Sequence, residues 1–127
     1  MFAPILIVDD DAEFREVVSL VLTRAGYSVV CAESGSRALE MLETVRPTLV
    51  FVDVQMPGMS GPDFVREAQE RGYDPSRVIM CSALAPGCLS PAKWCITKPL
   101  DVDLILRVVE DFCGRGTAFA PIWSKGA

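Results

Sequence analysis

The sequence predicts an α/β fold, a doubly wound parallel sheet of five strands with helices on both faces. Three observations carry that expectation. Short, wholly apolar runs recur along the chain, and such runs suit strands covered on both faces. The stretches between them repeat their apolar residues at helical spacing. Strands and helices also alternate in order, as crossover connections between parallel strands require.

Each element has its own signal. Ile5 to Val8 is the first apolar run, followed by Asp9-Asp10-Asp11. Phe14, Val17, Val18, Val21 and Ala25 then mark one face of a first helix, which Gly26 stops. Tyr27 to Cys31 reads as the second strand. Ala38, Met41, Leu42 and Val45 form a second stripe, ended by Pro47, and Leu49 to Val52 is the third strand. Pro62 suits the first turn of a third helix. Its thin stripe of Phe64, Val65 and Ala68 implies an exposed flank. Val78 to Cys81 and Trp94 to Thr97 are the fourth and fifth strands. Asp101 can cap a last helix whose stripe is Ile105, Val108, Val109 and Phe112. Residues 1–116 are expected to form one domain, and 117–127 an apolar C-terminal tail that includes Phe119, Ile122 and Trp123.

Bulk properties narrow the function. The 127 residues are 50% hydrophobic and 23% charged, a globular composition. The net charge of −5 argues against direct nucleic-acid binding or attraction to an anionic membrane. No apolar run approaches the roughly 18 residues of a membrane span, and the N-terminus lacks the basic start of a signal peptide. Cys31, Cys81, Cys88, Cys95 and Cys113 contain no C-x-x-C pair, and there is no histidine, so a zinc site is not expected. Reduced thiols fit a cytoplasmic location.

The chemistry lies where strands end. Phe51-Val52-Asp53 carries a carboxylate to the tip of a buried strand, which is costly unless the charge is compensated. Ligands of such sheets bind beyond the carboxyl ends of the strands. That edge collects Asp9 and Asp10 after strand one, Asp53 on strand three, Ser82 and Ala83 after strand four, and Lys98 with Pro99 after strand five. Taken singly, the acids read as a helix cap and a turn residue, and the serine and lysine as ordinary loop residues. Their convergence says more. Two carboxylates about 4 Å apart repel by roughly 4 kcal/mol at an effective dielectric near 20, so the group calls for a hard cation. Mg²⁺ suits it. Asp10 and Asp53 can ligate directly, Asp9 can orient a metal-bound water, and the Gln55 main-chain carbonyl can add an oxygen. Lys98, the Ser82 hydroxyl and the Ala83 main-chain amide suit a phosphoryl group, with Asp53 as its nucleophilic acceptor.

These pieces resemble the receiver domain of bacterial two-component response regulators. The matching segments are Ile5-Leu6-Ile7-Val8-Asp9-Asp10, Phe51 to Gly61, Ile79-Met80-Cys81-Ser82-Ala83 and Thr97-Lys98-Pro99, within about residues 4 to 113. The resemblance implies the flavodoxin-like strand order 2-1-3-4-5. It makes Asp53 the phosphoacceptor and Asp9 and Asp10 the acidic pair around Mg²⁺, with Gln55 giving its carbonyl to the metal. It makes Ser82 the switch hydroxyl and Lys98 the phosphate-pairing lysine, ahead of a cis bond to Pro99. The donor would be a histidine kinase or histidine phosphotransfer protein, the output an unidentified downstream protein, and the domain a regulated acceptor rather than an effector enzyme.

Two departures stand out. Cys95 occupies the strand-five position where the family usually carries an aromatic switch, and neighbouring Trp94 is expected on the opposite face. Only ten residues, Leu84 to Lys93, join strands four and five, so the crossover helix is expected to be shortened or missing. Ala83 to Ala92 would then be a loop or single turn, with Leu84 beside the acceptor slowing hydrolysis. These departures keep open an interaction module that works independently of phosphorylation. A haloacid-dehalogenase-like phosphatase fits poorly, since Gln55 stands where its second acid belongs.

Overall fold

A computed structural model describes residues 4–83, 94–98 and 101–113. The strands are β1 (Ile5–Val8), β2 (Val29–Ala32), β3 (Leu49–Asp53), β4 (Val78–Ser82) and β5 (Trp94–Thr97). The α-helices are α1 (Ala12–Arg24), α2 (Gly35–Val45), α3 (Gly61–Glu70) and α4 (Val102–Cys113), with a 3-10 turn at Pro75–Arg77. All strand pairs are parallel, in the order β2-β1-β3-β4-β5. The crossover segment expected to have a shortened or missing helix, the Leu84 position, the Lys98-Pro99 bond geometry and the tail at 117–127 lie outside the described residues.

Alternation along the strands sends side chains to two cores. Leu6, Val8, Val50, Val52, Val78 and Met80 face α2 and α3. Ile5, Ile7, Leu49, Phe51, Ile79, Cys81 and Ile96 face α1 and α4. The central strands β1, β3 and β4 are apolar on both faces because both are covered. Phe64, Val65 and Ala68 of α3 and Ile105, Val108 and Val109 of α4 are buried as expected, while Phe112, the last residue of the α4 stripe, is half-buried.

The first helix differs from its sequence pattern. Its buried face runs through Val18 and Leu22, with Phe14 half-buried, while Val17 is 52% exposed. The contact is a single i, i+4, i+8 ridge on the sheet, too narrow to cover a valine one step around the helix. Strand β2 starts two residues later than predicted, at Val29. As expected, Trp94 and Cys95 diverge. The Trp94 ring packs edge-on to Phe112 with centroids 6.2 Å apart, while Cys95 packs against the α2–α3 core.

Candidate functional site

Three segments build the site at the carboxyl edge of the sheet. The turn from β1 to α1 divides its acids between two tasks. Asp11 caps α1, its side chain accepting from the Glu13 amide at 3.0 Å. Asp9 turns inward and is 1% exposed, its Oδ1 accepting from the Asp11 amide at 2.9 Å. Asp10 is exposed at the rim. Asp53 ends β3, half-buried. Ligand oxygens of Asp9, Asp10 and Asp53 lie within 4.8 Å of one another.

Lys98 brings the positive charge. The amide of Lys98 donates to the Ser82 carbonyl at 2.6 Å, extending the β4–β5 pairing one residue past the strand. That anchor aims the side chain across the edge. Its Nζ donates to Asp9 Oδ2 at 2.7 Å and lies 3.4 Å from Asp53 Oδ1. Burial works against the Lys98 ammonium, yet Asp9 and Asp53 together raise its pKa. Burial also raises the pKa of Asp53, the charge of Asp9 adds to the rise, and Lys98 opposes it. One lysine therefore does not balance the carboxylates, and a hard cation with oxygen ligands suits what remains.

Ser82, Ala83, Gln55 and Cys95 are the other residues expected at the site from the sequence. Ser82 is buried at the end of β4 and Ala83 is exposed beside it, lining a cleft with Lys98. Gln55 is exposed in the loop after β3. Cys95 lies one layer below, opposite Met80 in the β4–β5 register.

Three neighbours were missed from the sequence. Arg15 Nη1 donates to the Asp9 carbonyl at 2.6 Å, bracing the acid turn from within α1. The Phe14 ring lies under Lys98 Nζ, 4.3 Å from its centroid. Gly61 stands against the Asp53 main chain, its amide donating to the Val54 carbonyl at 2.9 Å. Phe14 carried only a helix-face signal, and Gly61 only closed the matching segment Phe51 to Gly61 without a role of its own. Arg15 lies six residues beyond Asp9, one turn into the helix, a spacing from which a contact could have been suspected.

An open, doubly wound α/β sheet that gathers three acids around one lysine at its carboxyl edge defines a small domain with its polar site where such sheets place their ligands. Residues 5–110 match the response regulator receiver domain, and the chain belongs to that family. It is 35% identical over 113 residues to the chemotaxis protein CheY of Bacillus subtilis, covering 84% of this chain and 93% of that protein. It is 32% identical over 114 residues to the transcriptional regulatory protein GlrR of Escherichia coli, covering 86% of this chain and 26% of that much longer protein. Among solved structures, chemotaxis protein CheY4 of Vibrio cholerae superposes with a TM-score of 0.80 at 27% identity, covering 88% of this chain and 99% of that one. The receiver domain of NarL from Mycobacterium tuberculosis gives 0.76 at 27% identity, covering 91% and 98%. No helix among the described residues is long and apolar enough to cross a membrane.

Proposed function

We propose that Asp53 accepts a phosphoryl group from a phosphohistidine donor, a histidine kinase or histidine phosphotransfer protein, and that the aspartyl phosphate alters how this domain binds a downstream protein in the cytoplasm. The observation that carries the reading is Lys98 Nζ set between Asp9 Oδ2 and Asp53 Oδ1 beside a cluster of acids.

The chemistry follows from that arrangement. A carboxylate oxygen of Asp53 attacks phosphorus, an O–P bond forms, and the P–N bond to the donor imidazole breaks, leaving its electron pair on nitrogen. Asp9, Asp10, Asp53 and the Gln55 carbonyl would hold Mg²⁺, which neutralises charge on the phosphoryl oxygens when bound. Lys98 pairs with one of those oxygens. The Ser82 hydroxyl and the Ala83 amide donate to others, and their movement onto the phosphate is the switching event. Substrate positioning and charge compensation are the whole of this domain's catalytic contribution, so it acts as a regulated acceptor.

Incubation with acetyl phosphate and Mg²⁺, followed by intact-mass measurement, tests the reading. One added phosphoryl group is expected, lost in Asp53→Asn and without Mg²⁺. Equal labelling of Asp53→Asn would overturn the acceptor assignment. A wild-type protein that neither acetyl phosphate nor a cognate kinase labels would establish the phosphorylation-independent interaction module instead.

A further inference from the structure

Lys98 is held from three sides, and the third is apolar. Its ammonium donates to Asp9, approaches Asp53, and rests 4.3 Å above the Phe14 ring. A cation within about 6 Å of a ring centroid is attracted by the negative face of the ring, most strongly where water is excluded. The Lys98 side chain is only 19% exposed. Phe14 is also fixed in direction, since it shares the α1 ridge with buried Val18 and Leu22.

We propose that Phe14 is a positioning residue for Lys98, resting on the phosphoacceptor reading above. The argument concerns which contacts survive the reaction. Both carboxylates that hold the ammonium are themselves claimed by the site's chemistry. Asp53 becomes an acyl phosphate, and Asp9 would share its charge with a divalent cation. A lysine has four rotatable side-chain bonds and a freely turning ammonium head, so once those contacts weaken it has many places to go. The ring face neither titrates, nor ligates Mg²⁺, nor is consumed. It keeps the ammonium within reach of an incoming phosphoryl oxygen while the carboxylates change partners.

Phe14 also reaches beyond the acid cluster. With Val17, Val102 and Ile105 it lines a cleft of about 410 Å³ between α1 and α4, which Lys98 and Ala83 close on the acid side. Any shift of the Lys98 head toward a phosphate therefore alters the contact that one wall of this cleft makes. Cys95 offers no aromatic rotamer, and the lysine–phenylalanine contact gives this domain a different aromatic group in direct touch with the site.

The test compares wild type, Phe14→Leu and Phe14→Tyr, with Phe14→Met in place of the leucine variant should that fail to fold. Two readouts are taken: the proton shifts of the Lys98 methylene next to Nζ, by NMR, and the initial rate of phosphorylation across acetyl phosphate concentrations at saturating Mg²⁺. In wild type the ring current should move the Lys98 methylene upfield. Phe14→Leu should abolish that shift and slow labelling about three- to tenfold, with Mg²⁺ affinity by calorimetry within about twofold of wild type. Phe14→Tyr, which keeps the ring, should restore both shift and rate. A wild-type methylene at its random-coil position would overturn the proposal, and so would Phe14→Leu labelling at the wild-type rate. Leucine and tyrosine variants that are equally slow would show packing alone. A wild type that is not labelled at all, while its methylene is shifted, would instead remove the phosphoacceptor reading on which the proposal stands.

Discussion

Gly61 is pressed against the main chain of Asp53. A Cβ built at Gly61 would lie 2.5 Å from the Asp53 carbonyl oxygen and 3.0 Å from the Val54 Cα, both backbone atoms that cannot rotate away. The start of α3 and the end of β3 are thus at closest approach where the candidate acceptor sits.

Gly61→Ala should therefore damage both stability and site. Forcing a methyl into this contact is expected to cost about 1–3 kcal/mol in urea denaturation. It should also lower the acetyl phosphate labelling rate, because the displaced backbone carries Asp53. Gly72→Ala provides the contrast. Its φ of +94° makes it strained, but a Cβ there meets nothing within 4 Å, so it should lose stability without a specific loss of labelling.

Asp53→Asn should be more stable than wild type at neutral pH. Burial raises the Asp53 pKa in the folded state above its ordinary value of 3.8, so the native state binds this proton more tightly than the unfolded chain. The stability gained from that proton is full below the unfolded value and disappears as pH rises through the folded one. Asparagine carries no charge and escapes the loss. Thermal melts without Mg²⁺ should show the variant ahead at pH 7. The gap should narrow as pH falls through the raised Asp53 pKa and close below the ordinary value of 3.8. A gap that widened on acidification would contradict the assigned direction.

Lys98→Met should be the most destabilising change at the site, since it strands Asp9, 1% exposed, without its cation. Breaking a buried pair from one side is expected to cost about 3 kcal/mol. Millimolar Mg²⁺ should recover more of that loss in Lys98→Met than it adds to wild type, because the ion replaces the missing positive charge. Denaturation midpoints with and without Mg²⁺ decide the matter.

The cysteines should separate by accessibility. Cys31 is exposed on β2, whereas Cys81 is buried on β4 and burial drives its thiol pKa far upward. Iodoacetamide under native conditions should modify Cys31 at least roughly tenfold faster than Cys81. Peptide mass spectrometry over time gives the ratio.

Much of this architecture is legible in the sequence because each central strand is apolar on both faces and each helix carries a stripe. The strand-end acids and Lys98 were also legible, since a charge at the end of an apolar run is conspicuous. What escaped notice depends on geometry across the sheet. Val17 looked like a core residue because helical spacing defines a face, not its width. Leu22 was overlooked beside it although it is fully buried. The triplet Asp9-Asp10-Asp11 could not be apportioned from spacing, and only the turn reveals that Asp11 caps the helix while Asp9 points inward. The Phe14–Lys98 contact joins residues far apart in the chain that carry no mutual pattern.

The lysine that partly offsets the acids directly follows β5, a strand bonded, among the described residues, on one side only, by β4. Opening that edge would carry Lys98 away from Asp9 and leave like charges facing one another in a buried pocket. Fraying of β5 and loss of the Lys98 charge from the pocket are therefore one event, and each resists the other. The outermost strand of the sheet is clasped shut by the charge it delivers, so amide exchange along Cys95, Ile96 and Thr97 becomes a gauge of how well the pocket is neutralised.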